Sequence, residues 1–246
     1  KNKNVIINGD MKIAQRGTSF VSPSTTNYTL DRWMVWFSSD AIQTISQDTD
    51  VPATDVYKYS LKWDITTADG TIGADQYAVI SHRIEGYNFT PLVGKTATLS
   101  FWVKSPKTGT HCIAFKNSGA DRAYVSEYTV NSANTWEEKS VTVTFDYSGG
   151  TWDYTTGIGL NICFALACGA DFQTSASSWQ TGNYLGTSNQ VNCLDNTSNN
   201  FYLTGVQFEI GSVATEFEYR TIQQELILCQ RYYERIGGVQ YSPYCH

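Results

Sequence analysis

Alternation of apolar and polar residues with a period of two runs through most of the chain and predicts short β-strands. The clearest case is YKYSLKWDI at residues 57–65, in which every second side chain is apolar. Further strands are predicted at 4–11, 30–37, 42–45, 76–84, 96–104, 110–116, 124–130, 135–145 and 157–168. Many short strands with one helix at the end indicate an all-β fold, a two-sheet antiparallel jelly-roll β-sandwich with one C-terminal α-helix.

The segment 157–168 is apolar at nearly every position. Such a strand is expected to be covered on both faces of its sheet. Cys163 and Cys168 are five residues apart in it, which predicts that they point to opposite faces. The following stretch, 172–198, has almost no apolar period and many Ser, Thr, Asn and Gly residues, so we expect a long surface excursion.

The C-terminal part, FYLTGVQFEIGSVATEFEYRTIQQELILCQRYY at 201–233, predicts three elements in succession. The apolar parity of the strand changes across Gly205, which predicts a β-bulge there. Residues 212–220 lack a helical period and are expected to cross the sandwich in extended form. A capping-box pair, Thr221 and Gln224, then begins a predicted helix over 221–236, which Gly237 and Gly238 end. Its apolar stripe is predicted to consist of Ile222, Leu226, Cys229, Tyr233 and Ile236.

These elements predict a single jelly-roll domain over residues 1–246, because no internal repeat or linker divides the sequence. Its parts are an entry strand and turn at 1–20, the sandwich at 21–211, the crossing at 212–220, the helix at 221–236 and a tail at 237–246. The sequence begins abruptly with KNKN, as a piece of a longer protein would.

The charge and the hydropathy of the sequence limit the classes of partner that we expect the chain to bind. The formal net charge is −6 and the pI is near 5.0, and no cluster of Lys and Arg is visible, which argues against a nucleic-acid partner. The sequence has no run of 18 apolar residues, so membrane insertion is not expected.

The cysteines and histidines form no metal or redox motif. The six cysteines lack a C-x-x-C pair, and we expect mostly buried free thiols in a reducing compartment, with a disulfide or a metal site as alternatives. His82, His111 and His246 each stand apart from any second candidate ligand. They are predicted to be partly exposed strand or tail residues.

The sequence contains no nucleophile motif such as G-x-S-x-G and no H-E-x-x-H. Glycoside hydrolysis needs only two carboxylates at a suitable separation, which sequence cannot measure. The available acids are Glu127, Glu137, Glu138, Asp146 and Asp153, and the adjacent Glu137 and Glu138 point to opposite faces of a strand. Without a convergent constellation, the sequence predicts no enzymatic activity.

A calcium ion has one weak candidate site. Asn8 and Asp10 offer hard oxygen ligands in a tight turn. The competing interpretation is that Asn8 and Gly9 make the turn while Asp10 bonds to the local backbone. We favour the turn and predict no cofactor, with calcium as the alternative.

Aromatic residues in polar loops are the candidates for carbohydrate binding. Trp152 and Tyr154 in SGGTWDYTTG, and Trp179 and Tyr184 in SSWQTGNYLG, stand among Gly, Ser, Thr and Asn instead of in an alternating strand. Flat aromatic rings offer rigid area to the C–H faces of sugars. The competing interpretation for each is local packing.

Two stretches at opposite ends of the chain carry a family resemblance. In order they contain NGD at 8–10, QRG at 15–17, DRW at 31–33, QFEIGSVATEFEYR at 207–220 and CQRYY at 229–233. These motifs resemble the recurrent module of bacteriophage tail fibres and related virion-surface proteins. The resemblance implies a jelly roll similar to carbohydrate-binding modules, on trimeric fibres that contact the host surface. The chain departs from calcium-binding relatives at FYLTGV, 201–206, where Thr204 and Gly205 stand in place of an acid.

The resemblance implies a virion protein that is assembled in the host cytoplasm and binds a host-surface glycan or envelope receptor beside other virion proteins. Ile227 and Leu228 lie off the helical stripe and widen the apolar face of the helix, which either the extended segment 212–220 or another subunit must cover. We favour a homotrimer contact, with Leu226, Ile227, Leu228 and Tyr232 as its candidate residues. Two alternatives remain open: a purely structural virion component such as a fibre knob, capsid fibre or collar, and a glycan depolymerase.

Overall fold

The computed structural model describes residues 3–145, 149–236 and 239–241. Thirteen of its strands form two antiparallel sheets that pack face to face. The predicted two-sheet jelly-roll sandwich is therefore confirmed. No helix in the described part of the chain is long and apolar enough to cross a membrane.

The first sheet has the strand order β1-β4-β5-β13-β7-β10, and the second has the order β12-β9-β8-β11-β6-β3-β2. The strands are β1 Ser19–Val21, β2 Thr26–Tyr28, β3 Trp33–Ser38, β4 Ile42–Asp48, β5 Ser60–Thr67, β6 Tyr77–Glu85, β7 Thr96–Lys104, β8 Gly109–Lys116, β9 Arg122–Val130, β10 Glu137–Thr144, β11 Ile158–Cys168, β12 Trp179–Thr181 and β13 Asn200–Ile210. Short helical turns lie at Gly86–Phe89 (α1), Thr90–Leu92 and Ala170–Phe172. The C-terminal helix α2, Ile222–Gln230, precedes a hairpin of β14, Glu234–Ile236, and β15, Val239–Tyr241.

The core lies between the two sheets and follows from the alternation. In β10 the predicted inward residues Val141 and Val143 are buried, whereas Thr142 and Thr144 are exposed. Aromatic rings from both sheets meet in the centre, where Phe101 of β7 packs edge-on against Phe164 of β11 with ring centroids 5.1 Å apart. Close packing of this kind gives each buried aromatic side chain several kcal/mol of stabilisation relative to alanine.

The predicted bulge at Gly205 is confirmed. The pairing of β13 with β7 shifts register between Thr204 and Gln207, and Gly205 adopts a positive φ of 61°. The extra residue lets Leu203 and Val206 both reach the core. A Cβ at Gly205 would also lie 2.7 Å from the Tyr57 ring, so glycine is required there on two counts.

The strand β11 is buried on both faces, as predicted. The prediction for its cysteines was wrong: Cys163 and Cys168 both join the cluster on the outer face of the second sheet, with Val79 and Ala114. A register shift between Ala165 and Ala167 adds one residue and restores equal parity. The predicted excursion supplies part of the outer cover through Leu185 and Phe172.

The thiols and imidazoles are buried. The five cysteines in the described part of the chain are free and buried, as predicted, and burial raises the pKa of Cys168 to about 12. His82 and His111 were predicted to be partly exposed, but both side chains are buried among aromatic rings. The alternation of apolar and polar residues shows which face of a strand a side chain lies on, but it does not show whether another segment of the chain buries that face. Cys245 and His246 lie outside the described residues.

Two predicted elements differ in the structure, one near each end of the chain. Residues 4–11 form no strand, because side chains rather than a neighbouring strand satisfy most of their backbone groups. The helix covers only Ile222–Gln230 and gives way to the hairpin, although its predicted capping box between Thr221 and Gln224 is confirmed. The predicted stripe is only partly inward, since Ile222 and Ile236 are more than half exposed. Gly237 and Gly238 lie outside the described residues.

Candidate functional site

The motifs shared by the two chain ends meet in one place, which we call the terminal-motif network: Asn4, Asn8, Glu218, Arg220 and Glu225. The Arg220 guanidinium donates to the carbonyl oxygens of Ile6, at 3.0 Å, and Asn4. It also ion-pairs with Glu218 at 3.1 Å and with Glu225 at 3.4 Å. These contacts hold the N-terminal segment, the crossing and the helix together.

The NGD turn is built into the same network. Asn8 is fully buried; its Nδ2 donates to the carbonyls of Ile13 and Asp31 at 2.9 Å, and its Oδ1 accepts from the Ile13 amide at 2.9 Å. A Cβ on Gly9 would lie 2.1 Å from the Val206 carbonyl oxygen, so only glycine fits. The motif residues therefore have structural roles.

The weak calcium candidates are engaged by the protein itself. The amide oxygen of Asn8 accepts a backbone hydrogen bond, and Asp10 ion-pairs with Lys12 at 2.8 Å. Among the described residues no group of three or more His, Cys, Asp or Glu side chains could hold a metal ion. The geometry fits the turn interpretation better than a calcium site.

Three of the four loop aromatics come together at one edge of the sandwich. Trp152 and Tyr154 both stack on the buried Phe89, at centroid distances of 5.1 and 6.2 Å, and Trp179 packs edge-on against Trp152 at 5.7 Å. The indoles of Trp152 and Trp179 donate to the carbonyls of Gly149 and Thr144. Ring faces and indole N–H groups are thus used in packing.

Tyr184 lies apart from those three, half-buried against the outer cluster of the second sheet. Its neighbours Asn183 and Leu185 line a cavity on that face. Sugar binding by these four aromatics stays a prediction. The cavity beside Tyr184 is the stronger candidate for a binding site.

This outer-sheet cleft has a volume of about 250 Å³. Its lining residues are Trp36, Tyr77, Arg83, Lys116, Asn117, Ser118, Ala120, Ile158, Asn161, Phe172, Asn183 and Leu185. The floor is a row of polar side chains in direct register, because Asn161 of β11 pairs with Arg83 of β6 on one side and with Lys116 of β8 on the other. Aligned positions on neighbouring strands project from the same face of the sheet.

Trp36 of β3 is the aromatic element of the cleft and is half-buried. The Arg83 guanidinium lies 5.3 Å and the Lys116 ammonium 5.6 Å from the Trp36 ring centroid, within the range of cation–π contact. Phe172 packs edge-on against Tyr77 at 4.8 Å and forms part of one wall. The cleft therefore combines flat aromatic area with several convergent polar groups.

Polar atoms in the cleft lack protein partners. Trp36 Nε1, Arg83 Nε and Asn161 Oδ1 have no hydrogen-bond partner among the described residues. Lys116 is 5% exposed and donates to the side-chain oxygen of Asn183, and burial lowers the pKa of its ammonium. Buried polar groups without partners are costly in a fold, and atoms far from the cleft, such as Trp63 Nε1 and the Tyr128 hydroxyl, share this condition. In the cleft, a ligand or water would complete the hydrogen bonding.

A second cavity of about 230 Å³ adjoins the cleft, since Arg83 and Ile158 line both. It lies beside the turn that follows α2. There Arg231 forms a salt bridge with Glu85 at 2.7 Å, the Tyr232 hydroxyl donates to Glu85 at 2.7 Å, and the buried Arg32 lies 3.5 Å from the Tyr232 ring centroid. Glu85 thus holds Arg231 and Tyr232, whereas the Nε of Arg32 has no hydrogen-bond partner among the described residues.

The predicted subunit-contact residues divide into two groups. Leu226, Leu228 and Tyr232 are half-buried and pack against Ile7, Ile13 and Cys229 of the same chain. Ile227 is 67% exposed. The trimer contact stays a prediction, and among its four residues Ile227 is the most available one.

The carboxylates considered for glycoside hydrolysis are separately engaged. Glu127 accepts from Thr187 and Asn189, Glu137 pairs with Lys139, and Asp153 accepts from the Thr155 amide at 2.7 Å. Asp146 lies outside the described residues, and Glu138 is exposed. No Asp or Glu is among the described residues that line the outer-sheet cleft.

Sequence reasoning missed the cleft because its residues come from four strands and the excursion. One signal was available: Arg83, Lys116 and Asn161 are strongly polar residues within predicted strands that are rich in apolar residues. A buried strand accepts such residues only when they are satisfied or used.

Comparison with solved structures finds β-sandwiches. A candidate sugar-binding protein from Bacteroides thetaiotaomicron is 12% identical, with 85% of this chain and 100% of that chain covered at a TM-score of 0.50. A CBM4 carbohydrate-binding module is 16% identical over 83% and 98%, with a TM-score of 0.45. The enzymatically active domain of tailspike protein 4 from bacteriophage CBA120 is 13% identical over 85% of this chain, with a TM-score of 0.46.

The match spans only 21% of the tailspike chain. At these identities the similarity concerns the fold. No model of a known protein family matches the chain, and no curated protein matches it in sequence.

Proposed function

We propose that this chain is a carbohydrate-binding module whose ligand lies in the outer-sheet cleft. The observation that carries the proposal is the combination of half-buried Trp36 with the in-register row of Arg83, Asn161 and Lys116. A sugar presents an apolar C–H face and a rim of hydroxyls, which suits one aromatic ring surrounded by hydrogen-bonding groups. The fold of a candidate sugar-binding protein, similar to this one, supports the same class.

A glycan array followed by titration calorimetry on the best ligands tests the proposal. We expect the parent protein to bind and Trp36→Ala to lose at least about tenfold in affinity, which is ~1.4 kcal/mol. Trp136→Ala is the matched control, because Trp136 is also half-buried but lies beside the first sheet, where it donates to Asp50 at 2.9 Å. Equal binding by the parent and Trp36→Ala would contradict the proposal.

We also propose binding without cleavage. The cleft lining contributes no carboxylate among the described residues, whereas glycoside hydrolysis uses two. Prolonged incubation with the bound oligosaccharide should leave its length unchanged in mass spectrometry. Shorter products would favour the depolymerase alternative.

We further propose that the module is exposed on a bacteriophage virion, as a tail-fibre component that contacts a host-surface glycan or envelope receptor. The support is the resemblance of the motifs at both ends of the sequence, from NGD at 8–10 to CQRYY at 229–233, to the recurrent module of bacteriophage tail fibres. Antibodies against the chain should label the surface of intact particles in electron microscopy. Labelling of disrupted particles alone would contradict a surface position.

A structural role in the virion is the second candidate. Large apolar side chains are exposed from the end of β13 through the crossing to the helix: Ile210, Val213, Tyr219, Ile222 and Ile227. Such a stripe is suited to packing between copies of a homotrimer or against other virion proteins. Light scattering should give a trimer mass that falls to a monomer mass in Ile227→Asp. A trimer that binds no glycan would favour the structural role alone.

A further inference from the structure

The positive charges in the outer-sheet cleft are not neutralised by the protein. Neither Lys116 nor Arg83 ion-pairs with a carboxylate among the described residues, although the chain as a whole carries a net charge of −6. Several basic side chains elsewhere do pair with acids: Lys62 pairs with Asp64 at 3.3 Å, and Arg220 pairs with Glu225. The cleft is therefore a cationic site in an acidic protein.

Burial makes these charges expensive. Lys116 is 5% exposed, and its contacts are a neutral amide and an aromatic ring. A buried ammonium without a counter-charge costs free energy that cation–π contact only partly offsets. Such a group in a cleft is a recognised sign of a ligand that supplies the missing charge.

The polar row also has the right chemistry for an anion. Arg83 offers a planar fork of N–H donors that matches the two oxygens of a carboxylate, and Lys116 adds a point charge across the row. Between them lies Asn161, whose Nδ2 donates to the Asn117 carbonyl at 3.4 Å. A neutral sugar would use the hydroxyl-binding groups and leave both cations uncompensated.

We propose that the outer-sheet cleft selects an acidic glycan and that an anionic substituent of one sugar, a carboxylate or a sulfate, binds at Lys116 and Arg83 beside Trp36. This inference rests on the proposed carbohydrate-binding function and specifies its ligand class.

Titration calorimetry with paired oligosaccharides tests the inference. Each uronic-acid oligosaccharide is compared with its carboxyl-reduced form, and each sulfated one with its desulfated form. We expect the parent to bind one acidic member at least about tenfold more tightly than its neutral partner, since a hydrogen bond to a charged group has about that strength. The pair that discriminates identifies the anion as carboxylate or sulfate. Equal affinities within every pair would overturn the inference.

Substitutions in the cleft test which side chain causes the preference for the acidic oligosaccharide. Lys116→Met should lower the affinity for the acidic member by a larger factor than the affinity for its neutral partner, so that the preference between the two is lost. Lys62→Met is the matched control, because it makes the same charge change on the first sheet. If Lys62→Met reduces the preference as much as Lys116→Met, the effect is that of net charge and the inference fails.

Variants of Arg83 test the inference even if Lys116→Met folds poorly. Arg83→Gln should lose the preference and Arg83→Lys should retain part of it. In the parent, raising the salt concentration from 50 to 500 mM should weaken acidic binding and leave neutral binding unchanged, a scale set by Debye screening. Salt-independent acidic binding, or an unchanged preference in Arg83→Gln, would overturn the inference.

Trp36→Ala separates this inference from the proposed function. If both members of every pair bind equally and both lose affinity in Trp36→Ala, the carbohydrate-binding function stands and the acidic selectivity fails. If no oligosaccharide binds the parent, or if Trp36→Ala binds as the parent does, both proposals fail.

Discussion

The terminal-motif network and the outer-sheet cleft both bury charged side chains, yet they do so in opposite ways. In the network, Arg220 is matched by Glu218, Glu225 and backbone carbonyls of the N-terminal segment. In the cleft, Lys116 and Arg83 meet an aromatic ring and neutral amides. Charges that are matched by their own chain hold a fold together, whereas charges that are left unmatched await a ligand.

The largest effect on stability is expected at Arg220. Arg220→Leu leaves Glu225 buried without its counter-charge and frees the carbonyl oxygens of Asn4 and Ile6. We expect the free energy of unfolding to fall by about 3–5 kcal/mol, measured by urea denaturation. Arg235→Leu, the same change at an exposed site, should alter it by less than about 0.5 kcal/mol. A small loss in Arg220→Leu would mean that the network does not hold the chain ends.

A smaller loss is expected where the NGD turn approaches β13. In Gly9→Ala the new Cβ would lie 2.1 Å from the Val206 carbonyl oxygen, so the turn must move away from the strand. Overpacking of this kind costs about 1–3 kcal/mol. Gly70→Ala is the matched control, because a Cβ there meets nothing within 4 Å. Equal thermal midpoints for the two variants would contradict the tight approach.

Acidification should weaken the region beside the network. Burial and the nearby Arg32 hold the pKa of His82 well below 6.5, and burial also lowers the pKa of His111. Below pH 6.5 the unfolded chain therefore binds protons that the native chain does not, so stability falls as the pH falls. Each histidine contributes up to about 1.4 kcal/mol per pH unit.

Urea midpoints between pH 7.5 and 5.5 measure this slope, and His82→Gln should reduce it. His82 contacts the backbone of Ile7 next to the NGD turn, so its titration reports on the same region. A slope unchanged by His82→Gln would exclude that residue as the cause.

The smallest effect on stability is expected in the cleft. Lys116→Met removes a buried ammonium group. Burial lowers the pKa of this group, which means that the charge is unfavourable in the native state, and the substitution relieves that cost. We expect the free energy of unfolding to change by less than about 0.5 kcal/mol or to rise. Urea denaturation beside Arg220→Leu makes the contrast direct. A loss above about 2 kcal/mol would make Lys116 a structural residue.

The sequence predicts best those features that a few neighbouring residues determine by themselves. Periodicity predicts the strands and their inward faces, the parity change predicts the bulge at Gly205, and the Thr221–Gln224 spacing predicts the helix start. These are local signals, and a local signal is complete within a few residues of sequence.

Features that depend on how distant strands pair could not be predicted from the sequence or were predicted wrongly. The bulge between Ala165 and Ala167 brings Cys163 and Cys168 to one face, and no change of parity could reveal it because residues 162–168 are all apolar. The cleft exists because β11 pairs with β6 and β8 in a register that aligns Arg83, Asn161 and Lys116. Register between distant strands is a tertiary property, so the site was hidden although each of its polar residues was visible.

The most direct measurement is an NMR titration of the indole N–H resonances with the best-binding oligosaccharide. The Trp36 indole has no partner among the described residues, whereas the indoles of Trp152 and Trp179 donate to carbonyl oxygens. We predict that the Trp36 resonance shifts in proportion to occupancy while those of Trp152 and Trp179 stay in place. Shifts of Trp152 and Trp179 with Trp36 unmoved would contradict the account and place the ligand at the aromatic edge of the sandwich.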